Sequence, residues 1–346
     1  MNSPRLLVAD LNAIAPSWTF PAWAAERLAG EAPAGWRVHL VRAPTVSDGD
    51  GSDKPSDEAM AAVREAEAYV GFGLPRALLR EAPRLRWAHS TAAGVASALH
   101  PELDEREIAF TNSAGIHGPP MAEYVLGGVL HFLRGFDVAV RRQAERRWDR
   151  EPFVGAGHAA RELGECRALV VGAGGIGREV ARALGAHGVR CVGVRRRPEL
   201  GVPEGFERAV GPEALDDELP GADVLVLCAP LTGATRALMT GERLDRLPAG
   251  ASVVNVGRGA LVDEGALADR LRRGTLRGAV LDVFEAEPLP ADSPLWGLER
   301  VLVTPHVSAV SPRRFWEREV ALILDNWARH DRGAPLRNLV DRRAGY

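Results

Sequence analysis

The sequence predicts an α/β protein organised on parallel sheets, the larger of them doubly wound, and three observations lead there. Strand-length apolar runs alternate with helix-length amphipathic runs along most of the chain. A glycine cluster, Gly172-x-Gly174-x-x-Gly177, stands between a strand-length run and a helical one. A second β-branched run begins within about 30 residues of the first, the span of one strand–helix–strand unit.

That central unit covers residues 167–197, RALVVGAGGIGREVARALGAHGVRCVGVRRR. Ala168 to Val171 is short and apolar enough for a buried strand. Ile176, Val180, Ala183 and Leu184 follow at helical spacing, Gly188 ends the helix, and Cys191 to Val194 form the next strand. In this context the glycines have a physical task. They permit a tight turn, let the backbone N–H groups around Gly175 and Ile176 approach a pyrophosphate, and let the helix pack close on the strand. A pyrophosphate is expected at the helix N-terminus, where unpaired N–H groups and the helix dipole favour negative charge.

At 346 residues the chain is long enough for two domains with full cores. The net charge of −3 gives no electrostatic reason to expect a nucleic acid or an anionic membrane as partner. No apolar run approaches the length of a membrane span, and Met1 to Val8 lacks the hydrophobic region of a signal peptide. Cys166, Cys191 and Cys228 lie in or beside core strands without ligand spacing. They read as reduced, buried thiols of a cytoplasmic protein, and no metal site is expected. Lys54 is the only lysine and lies in a polar loop, which excludes a P-loop nucleotidase and a pyridoxal-phosphate enzyme.

In chain order, Leu6–Ala9, Val38–Val41, Tyr69–Gly71, Leu85–Ala88 and Ile108–Thr111 read as strands of a small parallel α/β unit. Trp23–Leu28 and Glu58–Ala66 are helices between them. Residues 44–57 read as an exposed loop. Pro119 and Pro120 precede an amphipathic helix from Met121 to about Leu133, and a basic helical stretch, Arg134 to Arg150, follows. Its arginines alternate with Glu145 and Asp149, as on a solvated face. After the central unit, Asp223–Cys228, Ser252–Val256, Gly278–Leu281 and Val301–Val303 complete the larger sheet. A last amphipathic helix, Arg313 to about Arg329, returns to the first domain.

Ligands of doubly wound sheets bind outside the carboxyl ends of the strands. Arg258 follows the strand ending at Val256, and Asp282 ends the strand Gly278–Leu281 with Glu287 five residues on. His306 comes directly after Val301–Pro305. Each alone has a structural explanation, but three strands delivering a guanidinium, two carboxylates and an imidazole to one edge suit carbonyl reduction. An imidazole protonates the oxygen as hydride reaches the carbon, and a neighbouring carboxylate favours the charged ring and fixes its orientation. A guanidinium grips a substrate carboxylate with two parallel bonds. The other histidines (His39, His89, His100, His117, His131, His158, His187 and His330) lack such placement and read as structural or surface residues.

The second strand also bears on the cofactor. An NAD-specific unit carries an acidic residue about 20 positions on, which accepts from the ribose 2′-OH. Here Arg195 stands 18 residues after Gly177, followed by Arg196 and Arg197. Guanidinium groups there favour a 2′-phosphate, so NADP(H) is expected to be preferred, with NAD(H) the lesser option.

Taken with the stretches STAAGV, TNSAGIHGPPMAEY, GAGGIGREVA, CAPLTGATR, VNVGRGALVDEGAL, LDVFEAEPL and TPHVS, the sequence resembles the D-2-hydroxyacid dehydrogenase family over most of its length. The resemblance implies two Rossmann-like domains: a flavodoxin-like substrate domain, residues 1–114 and 309–346, and a dinucleotide-binding domain, residues 115–308. It also implies a cleft that closes on binding and a homodimer made through the cofactor domains. Carried over by position, Arg258 binds the substrate carboxylate, Glu287 and His306 form the acid/base pair, and Asp282 holds the nicotinamide carboxamide. Backbone at Ala93, Gly94 and Val95 meets the substrate carboxylate, and Ala229, Pro230, Val256 and Gly257 line the cofactor site with the glycine turn.

Glu287 argues against formate dehydrogenase, which resembles this family but carries glutamine there. The chain stops soon after its last helix, so the serine-binding regulatory domain of many phosphoglycerate dehydrogenases is not expected. The expectation is a cytoplasmic reductase of glyoxylate, hydroxypyruvate or a bulkier 2-oxoacid. Phe72, Phe315 and Trp316 are open to two readings, an apolar substrate pocket or core. A dinucleotide-sensing binding protein of the corepressor type is the rival, and turnover of 2-oxoacids separates the two.

Overall fold

The computed structural model describes residues 4–14, 18–45, 54–155 and 160–342. The chain divides into two compact units, residues 1–117 with 310–346 and residues 118–309. The sequence reading put these divisions at 114/115 and 308/309.

In the first unit, five parallel strands form one sheet: β1 (Arg5–Asp10), β2 (Trp36–Leu40), β3 (Ala68–Gly71), β4 (Trp87–Ser90) and β5 (Ala109–Asn112), in the order β2-β1-β3-β4-β5. This is the flavodoxin-like order. β3 and β4 are buried throughout, because helices cover both faces of the sheet. One face packs Leu6, Val8, Tyr69, Leu78 and Phe110. The other packs Leu7, Val70 and Trp87 against Phe315, Trp316, Ile323 and Trp327 of the helix Pro312–Asp331. Each fully buried Leu, Val or Phe side chain contributes about 1.5–3 kcal/mol.

The second unit holds seven parallel strands: β6 (Arg167–Val171), β7 (Arg190–Val194), β8 (Arg208–Val210), β9 (Val224–Leu227), β10 (Ser252–Asn255), β11 (Gly278–Leu281) and β12 (Val301–Val303). Their order is β12-β11-β10-β9-β6-β7-β8. The order reverses between β6 and β9, the switch point at which doubly wound sheets take ligands. On one face the helix Gly118–Leu133 packs Met121, Val125, Val129 and Phe132 over β6, β9, β10 and β11. The other face is sealed by Leu215, Leu244, Leu261 and Leu267.

Two local expectations change. The basic stretch after Arg134 is not one helix: it runs Phe136–Ala144 and then turns before a short helix, Glu151–Val154. Arg146, with φ of 56°, is left-handed, a conformation that cannot continue a right-handed helix. Arg142 and Arg147 pair with Glu145 and Asp149 across that turn. β8 escapes sequence detection because it is a three-residue edge strand with a charged first residue. Positions 46–53 of the loop read at 44–57, and His158, lie outside the described residues.

Cys166, Cys191 and Cys228 are buried free thiols. Burial pushes Cys191 up to about 11 and Cys228 up to about 12. Among the described residues no helix is long and apolar enough to cross a membrane.

Candidate active site

The glycine turn lies between β6 and the helix Gly175–Gly185, at the switch point. Gly172 has φ of 105°, and a Cβ there would lie 2.7 Å from the Ala229 nitrogen. A Cβ at Gly177 would overlap the Gly172 carbonyl oxygen. Gly174 differs: nothing lies within 4 Å of where its Cβ would be, and it is exposed. No side chain caps the helix behind it, so the first-turn N–H groups of Gly175, Ile176 and Gly177 keep their donor capacity. Open space in front of uncapped N–H groups fits the pyrophosphate of a dinucleotide. Ala229 and Val256 are buried at the ends of β9 and β10, with Pro230 and Gly257 next to them in the chain.

Arg195, Arg196 and Arg197 leave the end of β7. The Arg195 backbone N–H donates to the Val210 carbonyl at 2.9 Å, and its guanidinium donates to the Gly201 carbonyl at 3.2 Å. Arg196 and Arg197 are exposed.

After β10, Asn255 sets the turn that presents Arg258. Its amide oxygen accepts from the Gly257 N–H at 3.1 Å, and its amide nitrogen donates to the Arg258 carbonyl at 3.0 Å. A Cβ at Gly259 would overlap the backbone of Phe284 and Glu285, so the Arg258 turn packs directly on the segment leading to Glu287. Arg258 is half-buried, and its guanidinium donates to the Gly257 carbonyl at 2.8 Å. Neither Asn255 nor Gly259 was singled out from the sequence. An asparagine at a strand end, able to bond its own backbone two residues on, was the available signal.

His306 and Glu287 meet beyond β11 and β12. His306 Nδ1 lies 2.8 Å from Glu287 Oε2, while Glu287 Oε1 accepts from the Phe284 N–H at 2.8 Å. His306 has φ of 54°, a costly conformation for a residue with a side chain. Asp282 holds it there. The Asp282 carbonyl accepts from the His306 N–H at 2.9 Å, and its carboxylate accepts from the Val307 and Ser308 N–H groups, both at 2.8 Å.

The Thr304 hydroxyl also reaches Asp282 Oδ1, at 2.5 Å. A carboxylate only accepts, so Thr304 spends its single hydrogen there and the Tyr124 hydroxyl, 2.6 Å away, donates to Thr304. Burial pushes the Tyr124 phenol up to about 12, which keeps it a donor. Asp282 is thus fully buried, with both oxygens committed to residues 304–308. Tyr124 ends the stretch TNSAGIHGPPMAEY, and Thr304 and Ser308 bound TPHVS, but none of the three has a role readable from the sequence alone.

In the first unit, Ala93, Gly94 and Val95 lie in the loop after β4. The Ala93 carbonyl accepts from the Asn112 side chain at 2.9 Å, and Val95 is buried. Phe72, Phe315 and Trp316 are core residues: Trp316 packs on Phe20 and Phe72, and Phe315 stacks on His117.

A doubly wound sheet with an open glycine turn, and an imidazole–carboxylate pair and an arginine beyond neighbouring strands, define the class as a dinucleotide-binding α/β protein. Residues 126–308 match the family described as D-isomer specific 2-hydroxyacid dehydrogenase, NAD binding domain. Glyoxylate/hydroxypyruvate reductase A of Salmonella newport (strain SL254) is 34% identical over 305 residues, covering 86% of this chain and 89% of that protein. The chain belongs to the D-isomer specific 2-hydroxyacid dehydrogenase family and is an NAD(P)-binding oxidoreductase.

Among solved structures it is similar to a D-isomer specific 2-hydroxyacid dehydrogenase from Xanthobacter autotrophicus Py2, in complex with NADPH and MES. The two are 33% identical with a TM-score of 0.78, over 99% of this chain and 100% of that one. It is also similar to an NADPH-dependent glyoxylate/hydroxypyruvate reductase from Sinorhizobium meliloti, in complex with NADP and sulfate. There the identity is 27% and the TM-score 0.76, over 99% and 100% of the two chains.

Proposed function

We propose that this protein reduces a small 2-oxoacid, of the glyoxylate or hydroxypyruvate kind, to the corresponding 2-hydroxyacid with NADPH. The carrying observation is the 2.8 Å pair between His306 Nδ1 and Glu287. With Nδ1 committed, Nε2 is the nitrogen left to give a proton to a carbonyl oxygen.

Bound NADPH supplies the hydride that reaches the carbonyl carbon. The chain's own residues do the rest. Arg258, set by Asn255, pairs with the substrate carboxylate and draws charge from the adjacent carbonyl. Backbone N–H groups of Ala93, Gly94 and Val95 are assigned to a substrate carboxylate, as the resemblance implies. Glu287 fixes the His306 ring, and Asp282 supports the His306 turn and is assigned to the nicotinamide carboxamide as the resemblance implies. The turn at Gly172–Gly177 takes the pyrophosphate, with Ala229, Pro230, Val256 and Gly257 around it, and Arg195–Arg197 take the 2′-phosphate.

The burial of Phe72, Phe315 and Trp316 supports a small substrate, since these rings are packed into the core. Three unpaired, buried thiols suit the reducing cytoplasm. A homodimer is part of the reading, supported by the exposed apolar side chains of Phe136, Val140, Trp148 and Val154. Trp148→Glu is expected to convert a dimer to a monomer by light scattering, and an unchanged mass would remove this surface from the interface.

A panel of 2-oxoacids with NADPH or NADH, followed at the reduced-nicotinamide absorbance, tests the function. Turnover of glyoxylate or hydroxypyruvate is expected. Cofactor binding without turnover of any 2-oxoacid would replace this reading with a dinucleotide-sensing binding protein.

A further inference from the structure

We infer that a buried cluster of His89, Ser113 and Glu319 positions the loop Thr91–Val95, and with it the grip on the 2-oxoacid carboxylate. The inference rests on the proposed role of Ala93–Val95 in holding that carboxylate.

His89, on β4, and Glu319, on the helix Pro312–Asp331, have fully buried side chains 2.9 Å apart. The contact joins His89 Nε2 to Glu319 Oε1. Its Nδ1 lies 2.8 Å from the Thr111 hydroxyl, which also accepts from the Trp87 indole N–H at 3.0 Å. A buried polar cluster is costly to hold, and well-packed apolar residues would fill the same space at no such cost. A role in fixing neighbouring backbone accounts for its presence.

Ser113 joins this pair to the loop. Its hydroxyl lies 2.9 Å from Glu319 Oε1 and 3.0 Å from the Ser90 carbonyl, and its backbone N–H donates to the Ala92 carbonyl at 3.3 Å. From the adjacent position, the Asn112 side chain donates to the Ala93 carbonyl at 2.9 Å. The Ala92 N–H donates to the Ser90 hydroxyl at 3.2 Å. The carbonyls of Ala92 and Ala93 are therefore tied to β5, and β5 is tied through Ser113 to the buried pair. A peptide whose carbonyl is fixed has its plane fixed, and so the direction of the next N–H. Loop N–H groups aimed in advance bind a carboxylate without an ordering cost.

Ser113→Ala removes one oxygen. Substrate and transition state keep the carboxylate alike, so a lost grip raises KM and leaves kcat unchanged. The expected rise in KM for the 2-oxoacid is roughly three- to tenfold, the worth of one hydrogen bond, with KM for NADPH unaltered. Hydrogen exchange of the peptide covering residues 91–98, measured without substrate, is expected to quicken in the variant. Glu319→Gln, which keeps shape and an acceptor, should shift both readouts the same way and carries the test if Ser113→Ala does not fold.

Unchanged KM and unchanged exchange in a folded variant would overturn the inference, as would KM for NADPH rising in step. An unmodified protein that turns over no 2-oxoacid would instead overturn the proposed function, and the exchange rates would still decide whether the cluster holds the loop.

Discussion

His306 Nδ1 and Glu287 Oε2 are 2.8 Å apart, and the second oxygen of Glu287 is held by the Phe284 N–H. The carboxylate is therefore oriented before the imidazole meets it. Removing the imidazole and removing its partner should have different consequences. His306→Gln is expected to lower kcat by roughly 10²–10⁴-fold, the usual worth of a placed proton donor. Glu287→Gln keeps an acceptor for Phe284 and a neutral partner for His306, so its loss should be smaller. KM for NADPH should be nearly unchanged in both. Near-normal turnover of His306→Gln on the best substrate would remove the residue from the reaction.

Asp282 offers a sharper test of support from behind. Its two oxygens receive Thr304, Val307 and Ser308, and an amide in place of the carboxylate turns an N–H donor towards one of them. Asp282→Asn leaves a buried donor facing a donor, at a cost of about 1–3 kcal/mol, read as a lower Tm. It should also lower kcat, because the left-handed turn at His306 loses its restraint. Tyr124→Phe removes only the outermost bond of the same chain, so kcat should fall less and Tm hardly move. If Asp282→Asn changed Tm alone and left kcat intact, the turn would be held by other means.

Much of this was legible in the sequence because it depends on local pattern. The runs at β6, β7, β10, β11 and β12 are short and apolar, and Gly172, Gly174 and Gly177 mark a turn that a side chain would block. Arg258, Glu287 and His306 could be nominated because a residue just past a parallel strand must emerge at the ligand-binding edge. What stayed hidden depends on contacts between distant positions. His89 and Glu319 are 230 residues apart in the chain, and each reads alone as an ordinary polar residue. Asp282 had the right address, but only three-dimensional closure by residues 304–308 shows that it also receives Thr304, Val307 and Ser308. The break at Arg146 was unreadable because arginine carries no turn signal, in contrast to glycine or proline.

Asp10, at the end of β1, gives a prediction about pH. Its carboxyl is buried, and desolvation raises it above the usual aspartate value, despite bonds from Thr45 at 2.6 Å and Tyr69 at 3.2 Å that favour the ion. The unfolded chain releases this proton near pH ~3.9, earlier than the folded protein does. Between the two values the native state binds more protons, so stability falls as pH rises through that window. Asparagine cannot ionise and can still meet both hydroxyls. The Tm of Asp10→Asn relative to the unmodified protein should therefore rise between acid and neutral pH. A difference constant with pH would mean that the carboxyl titrates alike in both states.

The choice between nicotinamide cofactors turns on Arg195, Arg196 and Arg197 at the end of β7. Arg195 is fixed by its backbone bond to Val210 and reaches the Gly201 carbonyl. A carboxylate at this position accepts from a ribose 2′-OH and repels a 2′-phosphate, whereas guanidinium groups attract the phosphate through charge-assisted bonds. NADPH should be favoured over NADH by at least about tenfold in kcat/KM, which requires only about 1.4 kcal/mol. Arg195→Asp combined with Arg196→Ser should erode or reverse that ratio, with little effect on KM for the 2-oxoacid. Because the attraction is between exposed charges, added salt should raise KM for NADPH more than KM for NADH. Equal efficiency with the two cofactors in the unmodified protein would mean that the arginines are a solvated loop and that the 2′-phosphate is not read at β7.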